Sequence, residues 1–149
     1  MVTPPTDLTK RPPRSARARL GGYVILPRMI DKCRAVIAGT QGEYHYACPL
    51  DQQFIQFVGL DAEKFKAEVA AGKGDGELLA WIEANAKFKR LPHEVACWSS
   101  YQDTRPTNTI DSREFFHSVH KELAPKREDI GVWFDLLDLD DFVTFGGKA

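Results

Sequence analysis

The chain has 149 residues, a formal net charge of −1, and 43% hydrophobic and 28% charged residues. This balance predicts one globular domain and gives no overall field that would draw the chain to nucleic acid or to an acidic membrane. The absence of a signal-like N-terminus, of any apolar run near the roughly 20 residues that cross a bilayer, and of a CxxC pair among three cysteines predicts a cytoplasmic protein that does not enter membranes.

Residues 1–13 contain four prolines, which predicts an extended N-terminal arm ahead of a single helical domain over residues 14–149. Basic side chains without an acid follow one another at Lys10, Arg11, Arg14, Arg17 and Arg19, and an acidic block without a base lies at Glu128, Asp129, Asp135, Asp138, Asp140 and Asp141. We expect two solvated segments that attract each other across the fold. Five cations without interleaved aromatics form a weak nucleic-acid footprint, so nucleic acid is not expected as a partner.

The first predicted helix starts near Leu26, with Pro27 in its first turn and Gly39 as its C-terminal cap. Apolar residues at helical spacing should face the core, namely Leu26, Met29, Ile30, Cys33 and Ile37. The opposite face carries Arg28, Asp31, Lys32 and Arg34. Because Asp31 is three residues from both arginines, this face predicts an ion network on the surface.

Residues 40–48 predict a loop, after which Pro49 opens a second helix that Gly59 ends. Asp61 is a good N-cap for a third helix, and Asp75, within the turn KGDG, is a good cap for a fourth. Each of these helices has apolar residues at helical spacing, including Leu50, Phe54, Phe57 and Val58 in the second.

Pro92 predicts the start of a fifth helix with Val95, Trp98 and Tyr101 inward. Asp111 and Glu114 have the spacing of a capping box, which predicts a helix that buries Phe115 and Phe116. A last helix is predicted over about residues 129–137. Alternation at period two is nearly absent, so the fold should be an all-α, compact bundle of six or seven short helices.

The densest set of reactive side chains lies between residues 20 and 51. Cys48 precedes a helix N-terminus, where amides and the helix dipole favour a thiolate, and His45 is close enough in sequence to act as its base. Asp51, in the first turn of the same helix, could move a proton instead. These three residues are the catalytic candidates, beside the alternative that Cys48 is a packed thiol.

Tyrosines, charges and tryptophans around this stretch are the ligand-binding candidates: Tyr23, Arg28, Asp31, Tyr44, Tyr46, Trp98 and Trp133. Arg28 would hold an anionic group, and Trp98 or Trp133 would pack against an apolar part of the ligand. The alternative is that the tyrosines only fix their loop by aromatic burial, with each hydroxyl bonded to the backbone.

The sequence supports metal or cofactor binding less than it supports a small-molecule site. Glu114, His117 and His120 are spaced by three, but a metal site would need a second ligand set. The C-terminal aspartates lack the EF-hand spacing, and no phosphate-binding glycine loop occurs. We therefore expect no metal and no cofactor.

Three segments carry a resemblance: LGGYVILPRMIDKCRA at 20–35, GEYHYACPLDQQFIQFVGLD at 42–61, and REDIGVWFDLLDLDDFVTFGGK at 127–148. They resemble a family of small bacterial proteins known only as a domain of unknown function. The resemblance runs over nearly the full length and implies a compact domain. It implies no activity, cofactor or substrate.

The residues thus predict a small-molecule-binding protein or enzyme with a polar pocket around residues 23–51, which takes a small polar or anionic ligand. An alternative is a protein interaction module or a homodimer without catalytic activity, which would use the charged ends or an exposed aromatic patch.

Overall fold

The computed structural model describes residues 6–149, and these form seven α-helices and no β-strand. The helices are α1 (Leu26–Ala38), α2 (Pro49–Val58), α3 (Ala62–Ala70), α4 (Asp75–Asn85), α5 (Pro92–Asp103), α6 (Ile110–Leu123) and α7 (Trp133–Thr144). The predicted all-α class is confirmed. Within this part of the chain no helix has the length and apolar character that a membrane span requires.

Helix boundaries set by proline, glycine and Asp61 are confirmed. Proline occupies the first turn of α1, α2 and α5, and Gly39 and Gly59 take the left-handed conformation that ends α1 and α2. Asp61 accepts hydrogen bonds from the backbone N–H groups of Glu63 and Lys64. At Gly59 only glycine fits, because φ is +66° and an added Cβ would lie 2.7 Å from Cβ of Lys87.

Two predicted helix starts in the C-terminal half are wrong. Thr109, paired with Ser112, caps α6 instead of Asp111 with Glu114. Helix α7 begins at Trp133, because the Asp135 carboxylate accepts from the backbone N–H groups of Gly131 and Val132 and so fixes the first turn there.

Two aromatic side chains predicted to face inward are exposed instead, Tyr101 on α5 and Phe115 on α6, whereas Phe116 is buried as expected. Helical spacing alone does not separate Phe115 from Phe116, since only the position of α7 decides which of the two faces the interior.

The main hydrophobic core surrounds α1 and the first half of the chain, and a smaller cluster joins α6 to α7. The N-terminal segment adds to this packing: Leu8 is buried and its N–H donates to the Thr40 carbonyl at 2.9 Å. Residues 1–5 of the predicted arm lie outside the described residues, and the division at residue 13 stays a prediction.

Candidate ligand-binding site

The charged face of α1 is buried, so the predicted surface network is wrong. Arg28, Asp31 and Lys32 expose 3%, 6% and 3% of their surface. Their partners are not the neighbours along the helix but side chains from the N-terminal segment, α2 and α7. Helical spacing cannot reveal such ion-pair partners, because each is 17 or more residues away in sequence.

Arg28 joins α1 to the end of α7. Its guanidinium donates to both carboxylate oxygens of Asp141, at 2.7 and 3.2 Å, and the Tyr44 hydroxyl donates to the same carboxylate at 2.7 Å. Burial opposes the charge on Arg28, but the bonds and charge of Asp141 outweigh it and raise the pKa of Arg28. Burial, and then Asp141, raise the pKa of Tyr44.

Lys32 joins α1 to the first turn of α2. Its ammonium lies 2.8 Å from Oδ1 of Asp51, whose side chain is fully buried, and it donates to Sγ of Cys48 at 3.1 Å. Neither Asp51 oxygen has a well-aligned hydrogen bond, so the carboxylate depends on this ion pair. Burial raises the pKa of Asp51, and the charge of Lys32 opposes that rise.

Asp31 belongs to a third group with the N-terminal segment. Nε and Nη2 of Arg14 donate to Asp31, each at 3.0 Å, and Nη1 of Arg14 donates to Asp75 at 2.7 Å. Nearby, Arg17 pairs with Asp135 and Asp138 of α7. The predicted attraction between the basic arm and the acidic block is therefore confirmed.

The structure brings some candidates together and separates others. Arg28 and Tyr44 belong to one group of contacting side chains, and Cys48 and Asp51 belong to another. The two groups are neighbours, since the charge of Arg28 also lowers the pKa of Asp51. His45 is exposed, and within the described chain no hydrogen bond joins it to Cys48. The roles of His45, Cys48 and Asp51 in catalysis stay predictions.

The remaining aromatic candidates lie elsewhere. The Tyr46 hydroxyl donates to the Ala62 carbonyl at 2.7 Å, which is the backbone bond that the alternative interpretation expected. Tyr23 packs edge-on against Phe54 and against Trp98. Neither Tyr23 nor Trp98 contributes to the buried ion pairs of α1.

Trp133 lines a pocket of about 270 Å³ where the first residues of α2 and α7 meet the segment after α5. Its lining is mainly apolar: Pro49, Leu50, Gln53, Arg105, Trp133 and Leu137. The guanidinium of Arg105 lies 5.8 Å from the centre of the Trp133 ring. Arg105 is the only charged side chain in this lining.

Arg105 has no carboxylate partner among residues 6–149, in contrast to Arg14 and Arg28. Its Nε–H is buried and has no protein acceptor, and no other atom of its guanidinium is hydrogen-bonded in this part of the chain. Burial lowers the pKa of Arg105, because no nearby acid compensates for lost hydration.

The pocket places one cation beside an apolar wall. At the helix ends that meet here, Pro49 has no N–H, the Trp133 N–H donates to the Arg105 carbonyl, and the N–H groups just before α7 donate to Asp135. The charged donor for an anion is therefore the Arg105 guanidinium, which would give a carboxylate charge-assisted hydrogen bonds. The arrangement is therefore suited to a small anion with an apolar body.

Arg105 was missed as a candidate. The only local signal is a basic residue directly before Pro106 in a polar loop, which by itself indicates solvent exposure. Its burial depends on α7, whose Trp133 N–H donates to the Arg105 carbonyl at 3.2 Å. Such a contact between distant segments leaves no periodic trace in the sequence.

In residues 6–149 no three His, Cys, Asp or Glu side chains are grouped so as to hold a metal ion. In the sequence motif Glu114, His117 and His120, the last histidine contacts the backbone: its Nε2 lies 2.6 Å from the Arg127 carbonyl oxygen.

The fold defines an all-α protein built around a helix whose charged face is buried. The chain belongs to the family described as Domain of unknown function (DUF5069), whose model matches residues 10–143. No curated protein matches the chain. This family match agrees with the resemblance of the sequence to a domain of unknown function, and it assigns no activity. The bacterial source of the family stays a prediction.

Proposed function

We propose that the protein binds a small carboxylate with an apolar body, in the pocket between Arg105 and Trp133. The observation that carries this proposal is the half-buried guanidinium of Arg105, which faces an apolar pocket without an acidic partner among the described residues. The sequence predicted a small polar or anionic ligand, and the proposal restricts the anionic group to a carboxylate.

A half-buried cation without a partner loses part of its hydration without a compensating bond, which costs free energy. The fully buried cations of α1, Arg28 and Lys32, each have a carboxylate within 2.8 Å. A ligand carboxylate would give Arg105 the same kind of partner, and a bidentate pair matches the shape of a guanidinium.

The volume limits the ligand. Small-molecule pockets commonly have roughly 300–1,000 Å³, so about 270 Å³ suits a compact molecule such as a short aliphatic or a monocyclic carboxylate. The rings and methyl groups of Leu50, Trp133 and Leu137 would cover its apolar part.

The buried ion pairs of α1 hold the pocket in place. Asp51, tied to Lys32, lies one residue after Leu50 on α2, and Asp141, tied to Arg28, lies on α7 with Trp133. Because both walls are fixed to α1, the pocket is preformed and binding needs little ordering of the protein.

Calorimetric titration with acetate, butyrate and benzoate, and with benzamide as the uncharged analogue, tests the proposal. We expect benzoate or butyrate to bind and benzamide to bind at least about tenfold more weakly, since a hydrogen bond to a charged group contributes about 1.5–3 kcal/mol. Arg105→Gln should weaken carboxylate binding by about tenfold or more.

Arg113→Gln is the matched control, since Arg113 is an exposed arginine on α6 without an ion pair among residues 6–149. It should bind as the unmodified chain does. Equal carboxylate affinity in the Arg105→Gln protein, or no binding by any carboxylate in the unmodified protein, would refute the proposal.

A further inference from the structure

A second cleft, of about 420 Å³, lies between the turn at Gly21–Gly22 and helices α4 and α5. Ile82, Ala86 and Val95 form its apolar wall, and Tyr23, Lys89 and Arg90 also line it. The cleft shares no lining residue with the Arg105 pocket, so a ligand bound here would be independent of carboxylate binding at Arg105.

Arg90 is held rigidly at this cleft. Its Nε and Nη2 donate to the Phe57 carbonyl at 3.0 and 2.8 Å, and its guanidinium lies 4.3 Å from the Phe57 ring centre. Phe57 in turn stacks on Trp98 at 4.8 Å. Nη1 of Arg90 has no protein partner among residues 6–149, so a positioned donor is left for a ligand.

Tyr23 supplies a second donor. Its ring is packed against Phe54 at 5.3 Å, yet its hydroxyl forms no hydrogen bond within the described chain. Burial raises the pKa of Tyr23, so the hydroxyl keeps its proton and can donate. The hydroxyl is accessible at the cleft, so a ligand bound there can accept a hydrogen bond from it.

The turn before Tyr23 favours glycine. Gly21 has a φ of +60°, a conformation that residues with a side chain adopt at a cost, and an added Cβ would lie 2.6 Å from Cδ1 of Leu79, so the leucine would have to move.

Positive charge exceeds negative charge in the lining, with Arg19, Lys89 and Arg90 against the single acid Glu83. Arg19 is paired with Asp103 at 2.6 Å, which leaves Lys89 and Arg90 as the cations without a carboxylate partner in residues 6–149. The Lys89 ammonium donates to the Glu83 backbone carbonyl and keeps further hydrogens for a ligand. Two such cations match the charge of a phosphate monoester, about −1.5 to −2 at pH 7, better than the single charge of a carboxylate, and the hydroxyl adds a third donor for its three terminal oxygens.

We propose that this cleft binds a phosphate monoester with a flat apolar body, the chemistry of a nucleoside monophosphate. The phosphate accepts hydrogen bonds from the Tyr23 hydroxyl, from Nη1 of Arg90 and from Lys89, and the apolar body lies along Ile82 and Val95.

Calorimetric titration of the full chain with AMP, GMP, CMP and UMP tests this proposal, with adenosine and inorganic phosphate as partial ligands. At least one monophosphate should bind below about 1 mM, and each partial ligand should bind at least about tenfold more weakly. Tyr23→Phe and Lys89→Gln should each weaken binding by about threefold to tenfold.

Lys87→Gln is the matched control, because Lys87 is an exposed lysine two residues away that does not line the cleft. It and Arg105→Gln should keep full monophosphate affinity. No binding by any of the four monophosphates, equal binding by adenosine, or unchanged affinity in both the Tyr23→Phe and Lys89→Gln proteins would each overturn the proposal.

Discussion

Lys32→Met is expected to lower the free energy of unfolding by about 3–5 kcal/mol at neutral pH, because it leaves the Asp51 carboxylate without its cation in the interior. Asp51 has no exposed side-chain surface and no well-aligned hydrogen bond. Urea denaturation of the two proteins measures the difference.

The loss should depend on pH in a defined direction. Burial already raises the pKa of Asp51, and removal of Lys32 raises it further. A carboxyl group whose folded pKa is above its unfolded value of about 4 contributes stability below that value and loses it as pH rises through the folded pKa. The stability deficit of Lys32→Met should therefore be smallest in acid and grow as pH rises toward neutrality.

Two further variants separate the ion pair from a general effect of losing a lysine. Lys64→Met, at an exposed position on α3, should change stability by no more than about 0.5 kcal/mol. Lys32→Met combined with Asp51→Leu should recover much of the loss, since an apolar pair can replace a buried ion pair. A Lys32→Met protein as stable as the unmodified chain at every pH would show that Asp51 does not depend on Lys32.

Asp141→Asn is expected to have the second large effect, again about 3–5 kcal/mol, because it leaves the Arg28 guanidinium buried with a neutral partner. The variant also removes the charged acceptor of the Tyr44 hydroxyl. Since Asp141 fastens α7 to α1, hydrogen exchange should rise along α7 more than along α3.

The neighbouring residue is a close control. Asp140 is exposed and has no ion pair among residues 6–149, and partial burial of its carboxyl followed by the charge of Asp141 raises its pKa, so its charge does not stabilise the fold. Asp140→Asn should therefore leave stability within about 0.5 kcal/mol of the unmodified protein. Equal effects of the two substitutions would contradict the role given to the Arg28–Asp141 pair.

The fold was predictable where the chemistry is local. Pro27, Pro49 and Pro92 in first turns, and Gly39 and Gly59 at helix ends, act through their own backbone preferences, so the sequence contains the whole cause. The start of α7 was not predictable in this way, because Asp129 and Asp135 are both plausible near a helix start and only packing selects Asp135.

The candidate site was predictable only in part. The stretch that holds Arg28, Asp31, Tyr44, Cys48 and Asp51 does carry the buried charges, but its partner Asp141 is 113 residues from Arg28. Whether a charged helix face is solvated or buried depends on such distant partners. Arg105 shows the same limit, since the residue that lacks a partner cannot be identified before all the pairs are known.

The most direct test of carboxylate binding at Arg105 is nuclear magnetic resonance of the Arg105 Nε–H and the Trp133 indole N–H during titration with benzoate. We expect that benzoate shifts both signals together and that the two shifts saturate with the same affinity. Benzamide at the same concentrations should not bring either shift to saturation. In the Arg105→Gln protein, benzoate should no longer shift the Trp133 signal. Signals that stay in place up to high benzoate concentration, or an unchanged Trp133 response in Arg105→Gln, would contradict binding in this pocket.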